Sequence, residues 1–139
     1  MFKDIEIIGV DKAGVPQPRN DGTRGGGLYK VPVKLSDRPP AGWDELLVQA
    51  WDHPEAYTQR HRPGIARVVG DTIVLDGTTM EEVEEVHQDV LGAAVKRANK
   101  GFREYEEKRA QQAAAEAERA AQHKREVDEA ADRLKFGKE

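Results

Sequence analysis

Met80 to Leu134 reads MEEVEEVHQDVLGAAVKRANKGFREYEEKRAQQAAAEAERAAQHKREVDEAADRL, a run with no proline and only two glycines, Gly92 and Gly101. Nothing in it forces the chain out of a helix, and alanine, glutamate, lysine and arginine, all strong helix formers, dominate it. A capping box can open it, because Thr78 and Thr79 each find a glutamate, Glu81 or Glu82, three residues on. Val83, Val86, Val90, Leu91, Ala94, Val95, Ala98, Phe102 and Tyr105 make an apolar band wide enough to cover a sheet. Past Tyr105 the apolar residues are alanines until Val127, Leu134 and Phe136. The run therefore has three parts: a core helix, an alanine- and charge-rich spacer with i, i+4 pairs at Glu104/Lys108 and Glu129/Arg133, and a small apolar tip. A single rod of this length measures roughly 80 Å at 1.5 Å per residue, far more than a small domain needs to close its core.

Working outward toward the N-terminus, the pattern changes to period two. Gly70-Asp71 is a turn dipeptide between Ile65–Val69 and Thr72–Leu75, which predicts a tight hairpin. Upstream, Trp43, Leu46, Leu47, Ala50 and Trp51 fall at i, i+3, i+4, i+7 and i+8, a core-facing helix entered from Pro39-Pro40 and stopped by Pro54. Leu28 to Leu35 sets Tyr29, Val31, Val33 and Leu35 against Lys30, Pro32 and Lys34; the proline predicts an edge or a bulge, since it cannot donate to a ladder. Phe2 to Val10 reads as a first strand, and Asp11 to Gly27, rich in Gly, Pro, Asn and Asp, as a long loop.

The order strand, strand, helix, strand, strand, helix predicts an α+β fold: a small four-stranded antiparallel sheet with both helices on one face and a long C-terminal helix continuing past it. A β-grasp-like topology is the alternative for the same element order. The expected division is a globular domain over 1–105 and a helical arm over 106–139.

Composition narrows the function classes. With no cysteine there is no disulfide, thiolate metal site or cysteine nucleophile, and the polar residues within Met1–Val10 do not read as a signal peptide. A cytoplasmic, non-membrane protein is expected. Lys plus Arg number 22 against 26 for Asp plus Glu, a net charge of −4 that argues against nucleic acid.

No catalytic constellation is visible. Ser36, the lone serine, has no nucleophile-elbow context. His53, His61 and His87 lie near acidic residues, and Glu84-Glu85-Val86-His87 holds one Glu-x-x-His pair, yet a bundle-type metal site needs a second; no metal or other cofactor is expected. Trp43 and Trp51 read as core anchors rather than a ligand-pocket wall.

Two surface candidates remain. One is the loop containing Tyr57, Arg60, His61 and Arg62, suited to a phosphate or a partner carboxylate unless its arginines pair with Asp52, Glu55 or the glutamates of the last helix. The other is the tip at Val127, Leu134 and Phe136. Leu91, Val95, Ala98, Phe102 and Tyr105 form a heptad seam for about two repeats, but Arg109, Gln112 and Glu116 follow in its slots and the seam fails. The functional expectation is a non-enzymatic interaction or adaptor module whose arm binds a protein partner or a second copy. The alternative is a small-ligand, phosphate or nucleotide domain using the Arg60–Arg62 loop with the glycines at 25–27.

Overall fold

The computed structural model describes residues 2–16, 27–56 and 58–137. It divides into two compact units, Met1–Arg103 and Glu104–Glu139. The first holds strands β1 (Ile7–Val10), β2 (Tyr29–Leu35), β3 (Ala66–Val69) and β4 (Thr72–Thr78) and helix α1 (Trp43–Asp52). A last helical run follows: α2 (Met80–Glu82), a π-helical turn (Val83–His87) and α3 (Gln88–Arg133), whose first part belongs to this unit.

The strands form one sheet in the order β1-β2-β4-β3, with every neighbouring pair antiparallel. A β-grasp sets its first and last strands side by side and parallel; here β2 lies between β1 and β4, so the fold is the two-hairpin α+β sheet. Val31 pairs with Leu75 and Val33 with Ile73, and Ala66 meets the other side of Leu75. Residues opposite each other share a face, so this register gathers the buried positions on one side of the sheet. Trp43, Leu47, Ala50 and Trp51 of α1 and Leu91, Ala94, Val95, Ala98 and Phe102 of α3 cover them in one core. Lys34–Asp71 and Arg67–Asp76 ion pairs mark exposed positions of the hairpins.

Pro32 sits in an internal strand and outside the β2–β4 bulge, so at neither the edge nor the bulge that its sequence suggests, and β2 tolerates it for a local reason. The Pro32 carbonyl accepts from Asp11 N–H at 3.0 Å, so the side of Pro32 that lacks a donor also faces the β1 side. The β1 ladder ends just before, at Val10↔Val33, and the Asp11 carbonyl takes the Gly14 N–H instead. No bond of the β2–β4 ladder is lost. The two bulges carry glycines: Gly77 at φ 113° lets Tyr29↔Thr78 step to Lys30↔Asp76, and Gly9 at φ 154° follows the extra residue Ile8.

Asn99 ties three elements together. Its Oδ1 accepts from Ile5 N–H at 3.0 Å and Trp43 Nε1–H at 2.9 Å, and its Nδ2 donates to the Ile5 carbonyl at 2.9 Å. At 5% exposure this amide satisfies the chain just ahead of β1 and the α1 tryptophan from one point on α3.

In the second unit α3 continues to Arg133, and Leu134–Gly137 are not helical. From Arg103 to Gly137 every residue is exposed except Ala130, which is half-buried. Side-chain pairs in this stretch include Arg125–Glu118 at 3.5 Å and Gln122–Glu126 at 3.2 Å, and Arg103 pairs with Asp4; the expected Glu104/Lys108 and Glu129/Arg133 ion pairs do not form among the described residues.

Candidate functional site

The loop after α1 is built back onto the last helical run. Trp51 holds it twice: its Nε1–H donates to the Arg62 carbonyl at 2.9 Å, and its own carbonyl accepts from His61 Nε2 at 2.8 Å. A carbonyl can only accept, so His61 carries its proton on Nε2. Asp52 Oδ1 accepts from Gly64 N–H at 2.8 Å at the far end of the loop. Arg97 donates to the carbonyls of His53, at 2.7 Å, and Ala50, a cation at the C-terminal end of α1 where its dipole favours one.

Thr79 opens α2, its Oγ1 accepting from Glu82 N–H at 3.1 Å. The expected capping box is only half closed. Glu82 does not reach back to Thr79: Oε1 accepts from Thr78 Oγ1 and from Arg62 Nε, and Oε2 from an Arg62 terminal N–H, each at 2.8 Å. This two-pronged guanidinium bond holds the Glu82 carboxyl below the ordinary range and raises the Arg62 pKa further. Arg60 pairs with Glu85, one turn on. Both arginines of the loop are thus matched by carboxylates of the last helical run.

Beneath these pairs lies an aromatic cluster. The Trp51 ring stands 4.6 Å from His61 and 5.2 Å from His87, and the two imidazoles are 6.1 Å apart, centroid to centroid. His87 is fully buried, and neither ring nitrogen has a hydrogen-bond partner. Burial pushes its pKa down; the Glu82 carboxylate works against that, and His61, Arg62 and Arg60 reinforce it. The sequence presents His87 as half of a Glu-x-x-His pair; the structure buries it within a π-helical turn. Gln88 N–H bonds to the Val83 carbonyl, an i→i+5 step that winds more residues into the turn. Positions four apart then align, so Val83, His87 and Leu91 face the core while Val86 turns partly out.

His61 and His87 are brought together, but His53 is exposed elsewhere, and no group of three potential metal ligands occurs among the described residues. Tyr57, and Gly25 and Gly26 of the glycine run, lie outside the described residues. Ser36 is a structural residue: its Oγ accepts from Glu6 N–H at 2.9 Å. Trp43 and Trp51 are both fully buried core residues.

The tip residues Val127, Leu134 and Phe136 are 50%, 60% and 82% exposed, an apolar set with no cover. Two further apolar features were not apparent in the sequence pattern. A cleft of about 590 Å³ opens between β1 and the start of the last helical run, lined by Ile7, Gly9, Val10, Met80 and Val83 with Glu81 and Glu84. Another, of about 420 Å³, lies between α1 and α3, lined by Ala50, Pro54, Val90 and Arg97. No helix among the described residues is long and apolar enough to cross a membrane. No family model, curated protein or solved structure matches the chain.

Proposed function

We propose that this is a non-enzymatic, cytoplasmic interaction or adaptor module whose C-terminal helical segment engages another protein chain, either a second copy or a different protein. The observation that carries the reading is the bare surface of α3 after Arg103. A helix normally owes most of its stability to burying one face, and an isolated helix in water is held only by propensity and weak i, i+4 pairs. Here a long stretch of α3 buries almost nothing, and Val127 within it and Leu134 and Phe136 just after it are all exposed. Such a surface gains by association.

The rival phosphate or nucleotide reading draws less support. Its two arginines are already engaged by Glu82 and Glu85, so an anion arriving there must displace a carboxylate. The self-association form of our proposal is tested by light scattering on the full chain and on a chain ending at Ala110. We expect the full chain to exceed monomer mass at high micromolar concentration and the shortened one to remain monomeric. Monomers in both would remove self-association and leave only docking on a different protein.

A further inference from the structure

We infer that the cleft beside β1 is the acceptor for the C-terminal segment of a second copy, Arg133-Leu134-Lys135-Phe136, which adds to the free edge of β1. This rests on the self-association reading above and names the surface it uses.

The acceptor is an open sheet edge with an acidic, apolar wall. Leu35 N–H bonds to the Asp71 carbonyl, away from β1. Its partner Ile7 is therefore in a non-hydrogen-bonded pair, with its own N–H and C=O pointing outward from the sheet. Two residues earlier the equivalent outward groups of Ile5 are satisfied by the Asn99 amide. Asn99 shows what the edge wants, a donor and an acceptor side by side, and from Ile7 to Val10 no such group is supplied among the described residues. Val10 repeats the geometry beyond the bulge: it pairs with Val33, whose flanking residue Pro32 takes the inward bond from Asp11. Short, bulged edges resist long strand addition but leave room for a short segment.

The cleft beside this edge sets what side chains such a segment must carry. Met80 and Ile7 are 37% and 36% exposed, apolar surface that an incoming side chain would cover. Glu81 and Glu84 stand on the same wall, exposed and without an ion pair among the described residues. Glu6, on the strand itself, is exposed as well. The fitting ligand is an extended segment that alternates apolar and basic residues.

The chain carries such a segment at its own end. After α3 stops at Arg133 the order is Leu134, Lys135, Phe136, basic and apolar in alternation, non-helical and with both apolar side chains exposed. In a strand, Leu134 and Phe136 share one side and can enter the cleft, while Lys135 lies on the other side with Glu6. Arg133, the last residue of α3, is not bound by that alternation, and its side chain meets Glu81 and Glu84 on the cleft wall. Because donor and acceptor are different surfaces, the contact is heterologous, and each copy offers one of each.

The test uses two full-chain charge-reversal variants: one with Glu6→Lys, Glu81→Lys and Glu84→Lys, the other with Arg133→Glu and Lys135→Glu. Each alone should self-associate about tenfold or more weakly than the parent, since like charges then face each other. Mixed one to one they should associate again, because the tail of the first meets the unaltered cleft of the second, a recovery that misfolded variants would not show; circular dichroism of each confirms the fold. Variants that associate like the parent, or a mixture no better than its parts, would overturn the inference while leaving arm-mediated association standing. A parent that is monomeric throughout would overturn both.

Discussion

His87 is the residue whose environment is most at odds with its chemistry. An imidazole with two unpaired ring nitrogens in a core leaves polar atoms stripped of water, and only ring contacts with Trp51 and His61 offset that. Its pKa is held below the ordinary 6.5 by burial, so folded His87 stays neutral where the unfolded chain takes up a proton. The stability this contributes is complete above pH 6.5 and is lost as pH falls from there through the folded value. Glu82 adds a second, more acidic limb: its pKa lies below the ordinary 4.5, so its contribution is lost as pH falls from 4.5 through its folded value. His87→Leu should therefore raise stability near neutral pH by about 1–2 kcal/mol. It should also flatten the loss that begins as pH falls below 6.5 while leaving the more acidic limb in place. Urea unfolding at a series of pH values reads both effects; an unchanged slope in the variant would show that another group titrates there.

Between elements, the Asn99 amide does what a longer β1 would otherwise do. Asn99→Ala strands the Ile5 N–H and C=O and the Trp43 indole N–H with no partner, and should cost about 2–4 kcal/mol. The measurement is the urea midpoint, and a cost under a few tenths of a kcal/mol would mean that water replaces the amide freely. Asn99 was legible in principle, four residues after Val95 and three before Phe102 on the buried stripe. An asparagine at such a position signals a buried backbone to be satisfied. The paired part of β2, α1 and the core part of the last helix were readable because alternation or the 3.6-residue period holds through them, whereas the first strand, expected over Phe2–Val10, is a strand only over Ile7–Val10 and carries a bulge. The internal place of Pro32 was not readable, because it depends on β1 ending one residue short and on Asp11 turning to Gly14. The spacing of His87, four residues from both Val83 and Leu91, matches a core position, but the π turn that carries it leaves no mark in the sequence. Of the loop candidates, charge suggested that Arg60 and Arg62 pair with carboxylates but left Asp52, Glu55 and the helix glutamates open; the structure selects Glu85 and Glu82. The cleft beside β1 needs the sheet order, which hydrophobic pattern does not give.

For the whole molecule, the central point is the mismatch between how far α3 runs and how much of it buries anything. Unit Met1–Arg103 closes its own core, with Phe102 its last buried residue. Everything helical after it depends on propensity or on a partner. Hydrogen exchange of the amides from Glu104 to Arg133, at low and at high micromolar concentration of the full chain, separates these two causes most directly. An associating segment predicts protection that rises with concentration in residues 104–133, while amides of the core, such as those of Leu75 and Leu91, stay protected at both. Exchange near the intrinsic rate in 104–133 at both concentrations would contradict association along this helix.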